Sequence, residues 1–198
     1  MKRAILAVIV AAALVAAYFL FFKKDKSHDE GPKQQPLAVG DNSGAFNQSY
    51  SSLLAAYDAV KDALVASDTA KASAAALELR QAADSLKLDE IKGDSTGAIK
   101  ETAQIFASTI STSAHALSLE NGLEAKRKEF EMIADALYNL TRTVRYDGQK
   151  LYWQFCPMAF DNKGAYWVSD ERAIRNPYFG DAMLECGSVQ DSLDFSKQ

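Results

Sequence analysis

Soft side chains crowd into two points near the end of this chain, Cys156-Pro157-Met158 and Met183-Leu184-Glu185-Cys186. With only 2 Cys and 4 Met in 198 residues, that pairing is a concentration rather than a scatter. Thiolate and thioether are soft donors, and a mixed set of them selects copper in its cuprous state over harder divalent ions. Cys156, Met158, Met183 and Cys186 are therefore the candidate metal ligands, with Cu(I) the expected ion. The same two cysteines admit a Cys156–Cys186 disulfide, the usual fate of an even pair in an oxidising compartment. Closing that loop stabilises a chain by roughly 3.7 kcal/mol through lost unfolded-state entropy. A third reading makes all four sulfurs packing residues. The sequence leaves the three open, and a staple and a metal site exclude each other at any one moment.

Other chemistry has little to stand on. The chain has 2 His, and neither His28 nor His115 has the surroundings of a Ser-His-Asp triad. HExxH, a Gly-rich phosphate loop and CxxC are all missing. His28-Asp29-Glu30 reads as solvated tether, His115 as a core or boundary residue, and Asp89-Glu90 as a polar connection. No catalytic residue and no enzyme activity are expected. Formal net charge is -4. Lys2, Arg3, Lys23, Lys24 and Lys26 against Asp25 make the start basic, so the remainder is more acidic than the total. An acidic domain repels phosphate backbones, which argues against nucleic acid as a partner.

Four amphipathic helices must position the sulfurs. The first carries Phe46, Tyr50, Leu53, Leu54, Tyr57, Val60 and Leu64 at steps of three and four. Ser67 or Asp68 caps the second, whose inner face is Ala72, Ala75, Ala76, Leu79, Ala83 and Leu86. Asp94 or Ser95 caps the third, with Ile99, Phe106, Ile110, Ser113 and Leu117 inward. Asn121 caps the fourth, with Glu124 completing a capping box and Leu123, Phe130, Ile133, Leu137, Leu140 and Val144 inward. Glu124 and Lys128 form an i,i+4 pair on its outer side. Short connections between such helices imply an all-α fold, an antiparallel four-helix bundle. From about Tyr146 helical periodicity gives way to aromatics. Two β-prone runs, Leu151–Phe160 and Ala165–Val168, flank a turn at Asp161–Gly164, leaving room for a short β-hairpin. Ser169-Asp170-Glu171 starts a short helix that Asn176-Pro177 ends, and Asp181 to Glu185 make one more turn. The tail is expected to be ordered and to lay its aromatics against the bundle.

The tail also resembles a known bacterial family. Cys156-Pro157-Met158-Ala159, Gly164-Ala165-Tyr166-Trp167-Val168-Ser169, Ile174-Arg175-Asn176-Pro177-Tyr178-Phe179-Gly180 and Met183-Leu184-x-Cys186-Gly187 are similar to the CPMA…WLS…NPYFG…CG tail of a domain-of-unknown-function family with a helical bundle. Tyr57-x-x-x-Lys61-Asp62-Ala63-Leu64-Val65-x-x-Asp68 resembles that family's first helix, and Lys126-Arg127-Lys128-x-Phe130 its QRxxF pattern. Such domains also occur at the C-terminus of heavy-metal efflux adaptor proteins of the membrane-fusion type. The resemblance implies a periplasmic binding module that handles copper or assists efflux components. Members often carry histidine directly before CPM, where this chain has Phe155, which implies weaker metal binding here.

The N-terminus sets the expected compartment. Ala4 to Phe22 is an unbroken apolar run of 19 residues behind Lys2-Arg3. As a helix it would span roughly 28 Å, close to the thickness of a bilayer core. The expectation is a single-pass inner-membrane anchor over residues 1–22, with the domain facing the periplasm. The alternative is a signal cleaved near Val15-Ala16-Ala17 and secretion to the periplasm. Residues 23–45, rich in Lys, Asp, Gln, Pro and Gly, read as a polar linker to a domain over 46–198.

Overall fold

The computed structural model describes residues 42–196. Four helices come first: α1 (Gly44–Val65), α2 (Thr69–Asp84), α3 (Ala98–Leu119) and α4 (Leu123–Val144). A 3-10 turn, Leu88–Glu90, lies between α2 and α3. Three strands follow: β1 (Leu151–Cys156), β2 (Ala165–Ser169) and β3 (Ser188–Leu193). The fold is thus mostly helical with a small antiparallel sheet, in strand order β2-β1-β3. The third strand was not foreseen, since the sequence suggested at most a hairpin. Exposed, polar Ser188–Leu193 has no alternating apolar pattern to announce it.

The expected stripes form the helical core. Phe46, Tyr50, Leu53, Tyr57, Val60 and Leu64 of α1 are buried, as are Ala72, Ala76 and Leu79 of α2. Burying this apolar surface is the main drive for the helices to associate. Each helix packs on the next in sequence. Alanines on α2 and α3, Ala103, Ala107 and Ala114 among them, keep those approaches close. Between α1 and α4 large rings do the bridging instead. Tyr57 stacks on Phe130 at 5.2 Å between centroids, and the Tyr50 hydroxyl meets Thr141 Oγ1 at 2.7 Å.

Helix starts follow side-chain chemistry in part. Ser43 Oγ accepts from Phe46 N–H and Asp68 Oδ1 from Lys71 N–H, capping α1 and α2. Asp94 reaches over the start of α3 to accept from Lys100 N–H at 2.8 Å. The expected Asn121 cap of α4 does not form: Gly122 holds that position without a side-chain bond. Asn42, in the stretch read as linker, already belongs to the fold, its side chain donating to the carbonyls of Val144 and Arg145.

Two further expectations change. Ser169-Asp170-Glu171 starts no helix; the chain there is held by Gln154, as described below. Glu124 pairs with Arg127 at 2.9 Å rather than with Lys128. The compartment is corrected as well. Among the described residues no helix is long and apolar enough to cross a membrane. A bilayer span needs about 20 predominantly apolar residues. The long helices here are two-faced: α4 alone carries Glu124, Lys128, Glu129, Glu131 and Asp135. That finding overturns the single-pass inner-membrane placement facing the periplasm. The apolar run Ala4 to Phe22, on which that placement and its secreted alternative rested, lies outside the described residues, as does most of the linker.

Candidate functional site: the sulfur pair of the tail

Strand β1 ends at Cys156, whose register partner in β2 is Ala165. On its other side β1 pairs with β3, Phe155 opposite Ser188. Cys186 stands two residues before β3, so this pairing delivers it to the end of β1. The two Sγ atoms lie 2.8 Å apart, and both residues are free thiols in the structure. The two cysteines, 30 positions apart in sequence, are therefore brought together by the fold of the tail. Cys156 is fully buried, and Cys186 is half-buried.

The path between the cysteines is set mainly by polar side chains acting on backbone. Gln154, fully buried, donates from Nε2 to the carbonyls of Glu171, Arg172 and Ala173. Asn176, also fully buried, donates from Nδ2 to the Cys186 carbonyl at 2.9 Å and accepts at Oδ1 from Tyr178 N–H. Its own backbone N–H bonds the Leu184 carbonyl at 2.8 Å. Arg127 reaches out of α4 and donates from Nε to the Pro177 carbonyl, also at 2.9 Å. The Tyr178 hydroxyl donates to the Tyr166 carbonyl. Gly187 completes the approach: at φ 150° it lies so close that a Cβ would stand 2.9 Å from both the Phe155 carbonyl and the Trp167 ring.

Stacked rings hold the sheet to the bundle. Tyr138 of α4 lies on Trp153 at 4.2 Å, and Trp153 on Tyr166 at 4.9 Å. Phe155 continues the series against Tyr166 at 4.3 Å. Side chains alternate across a strand, so Phe155 and Cys156 point to opposite faces of the sheet. An imidazole at position 155 would therefore lie on the face of the sheet opposite Cys156.

Met158 and Met183 both line a cleft of about 580 Å³ beside the sulfurs, with Phe160, Tyr178 and Phe179 among its walls. Glu124 and Lys128 of α4 and Asp161 and Lys163 of the tail stand at the same cleft. The turn Ala159–Asn162 that forms one side winds left-handed, with φ of 50° at Phe160, 58° at Asp161 and 65° at Asn162. Three successive non-glycine residues in that region are costly and persist only where surroundings enforce them. His115 is exposed on α3, not buried in the core as one of its expected readings had it. Among the described residues no group of three or more His, Cys, Asp or Glu side chains is arranged to hold a metal. That leaves Cys156, Cys186, Met158 and Met183 as the sulfur donors to consider.

The electrostatics limit what the thiols can do. The Cys186 thiol is pushed up from its ordinary value, first by its hydrogen bond with Cys156, then by burial, with the Met158 backbone N–H opposing. A raised thiol is mostly protonated at neutral pH and is a poor nucleophile. The pair suits oxidation to a disulfide, whose bond is about 2.05 Å, or capture of a soft ion. Two thiolates on one ion with metal–sulfur distances of about 2.3 Å stand roughly 3.8–4.6 Å apart. Metal capture therefore requires the sulfurs to separate from their 2.8 Å spacing.

A helical bundle carrying a sulfur-bearing sheet is the class that fold and site define. Residues 53–148 match a family model described as a protein of unknown function (DUF3347). The match runs from α1 through the end of α4 and stops before β1, short of both cysteines. No curated protein and no solved structure matches the chain.

The residues that build the site without touching the sulfurs escaped the sequence. Arg127 entered the sequence reading only within the run Lys126-Arg127-Lys128-x-Phe130, with no role at the sulfurs, yet Lys126 and Arg127 are 1% and 5% exposed. Asn176 reads as a helix stop before Pro177, and Gln154 has no sequence signal at all.

Proposed function

We propose that the domain is a soft-metal-binding module, which in its reduced state takes one cuprous ion on Cys156 and Cys186. Met158 and Met183 line the adjoining cleft, outside the two thiolates that hold the ion. In this reading the domain handles copper or a similar soft ion, alone or beside heavy-metal efflux components, and performs no catalysis. The observation that supports it is the meeting of Cys156 and Cys186 at 2.8 Å, next to a cleft lined by both methionines. Soft donors gathered this closely suit a monovalent soft cation. Thiols must lose their protons to bind, so uptake releases protons and tightens as pH rises.

A second reading has one observation in its favour. The same 2.8 Å spacing is nearer a disulfide than a dithiolate site, so the pair can instead staple the tail of a domain that serves as a protein-interaction surface. A thiol count on the protein as isolated, followed by cuprous titration of the reduced full chain against a competing chelator, separates the two. One ion per chain, lost in Cys156→Ser, is the expected result. A reduced chain that takes up no cuprous ion overturns the metal reading in favour of the staple.

A further inference from the structure

The four sulfurs do not share one environment. Met158 is 45% exposed, Met183 and Cys186 are half-buried, and Cys156 is fully buried. Exposure thus falls along a short path from the cleft to the end of β1. Each methionine is tied to its cysteine by a tight turn. Pro157 alone separates Cys156 from Met158, and Cys186 N–H closes a turn onto the Met183 carbonyl at 3.1 Å. A methionine kept only for packing fills gaps in a core. Met158 does not, since nearly half of it faces solvent at the cleft. Met132 of α4 is comparably exposed at 53%, but it does not line that cleft.

We propose that Met158 and Met183 form a separate receiving site at the mouth of this cleft, from which a cuprous ion passes inward to Cys156 and Cys186. The inference rests on the soft-metal reading above and adds an order of events to it. Thioethers are neutral and carry no proton to displace, so they bind weakly and at once. Thiols must ionise first and then hold the ion more tightly as thiolates. On transfer two S–H bonds break, two copper–thiolate bonds form, the thioether bonds are released and two protons leave to solvent. Copper stays cuprous throughout, so no oxidant or reductant takes part. Asp161 and Lys163, next to the left-handed turn, and Glu124 and Lys128 across from it give the mouth mixed charge, so its selectivity comes from sulfur rather than from field.

The test is transfer of cuprous ion from a coloured chelate to the reduced full chain, followed by stopped flow and at equilibrium. The variant is Met158→Leu with Met183→Leu, which keeps side-chain volume. It should still bind one ion, with affinity within about threefold of the parent, while its transfer rate falls at least about tenfold. In Cys156→Ser with Cys186→Ser, fast and weak uptake should remain, and adding the methionine substitutions should remove it. Transfer to the methionine variant at the parent rate overturns the receiving site. So does a loss of affinity as large as the loss of rate, which would make the thioethers permanent ligands. If the parent chain itself takes up no ion, the soft-metal reading falls and this one with it, an outcome distinct from both.

Discussion

In the helices, buried groups are mainly aliphatic side chains and alanines, and each helix closes on the next through them. In the tail, from β1 to β3, aromatic and polar groups such as Trp167, Tyr178, Gln154 and Asn176 join the aliphatic ones in the buried set, and the chain path is set in part by side chains bonded to distant carbonyls. A core of many small contributions tolerates local change, because each methylene contributes on the order of 0.8 kcal/mol and neighbours can adjust. A loop held by Gln154, Asn176 and Arg127 has no such redundancy. Gln154 meets the carbonyls of three successive residues, and Asn176 and Arg127 one distant carbonyl each. The bundle can therefore serve as a stable platform while the tail holds its two sulfurs together.

The sharpest test of the bundle half of this contrast is Leu137→Ala. That side chain is 1% exposed at the centre of the α4 stripe, and its truncation should cost on the order of 2–5 kcal/mol in denaturant unfolding. A cost below about 1 kcal/mol would mean that α4 does not anchor the core. The tail half is tested by redox state. Oxidising Cys156 and Cys186 should raise stability by up to roughly 3.7 kcal/mol in the chain-entropy estimate, and adding reductant should reverse the gain. Equal unfolding midpoints under both conditions would show that the pair does not bond.

Arg127→Met should act more locally. It removes the donor to the Pro177 carbonyl and the partner of Glu124. A loss of about 1.5–3 kcal/mol is expected for a bond to a charged group. Hydrogen exchange should quicken around residues 176–186 before it does in α1 to α3. Uniform quickening would place Arg127 in the bundle's own stability instead.

The smallest effect concerns acid. Burial raises Glu131, and Asp135 one turn on raises it further while Lys163 opposes; burial also raises Asp135. Raised carboxyls bind more protons folded than unfolded, so stability should fall slightly as pH climbs through the carboxylate range toward neutrality. Glu131→Gln should flatten that slope. An unchanged slope in the variant would show that Glu131 is not its source.

How much was legible follows the same division. The stripes of α1, α2 and α4 were readable because packing there obeys a period of 3.6, which sequence displays directly. Asp68 was readable as a cap, since its carboxylate does local work three residues on. Asn121 was not, because the chain enters α4 one residue later, at Gly122. The pairing of the sulfurs was open to inference from their clustering, but their environment was not. It depends on contacts between residues such as Arg127 and Pro177, fifty positions apart, and on β3, which pairs through its backbone and shows no apolar alternation. The mouth of the cleft was equally hidden, since Phe160 read as the end of a β-prone run and Asp161 and Asn162 as an ordinary turn, while all three adopt left-handed backbone.

The most direct test of the tail as a soft-metal site is X-ray absorption at the copper edge, on the reduced full chain loaded with one equivalent of cuprous ion. The expected spectrum shows copper surrounded by sulfur alone, and Cys156→Ser should lose that signature. Copper bound through nitrogen or oxygen, or a spectrum unchanged by the substitution, would contradict it.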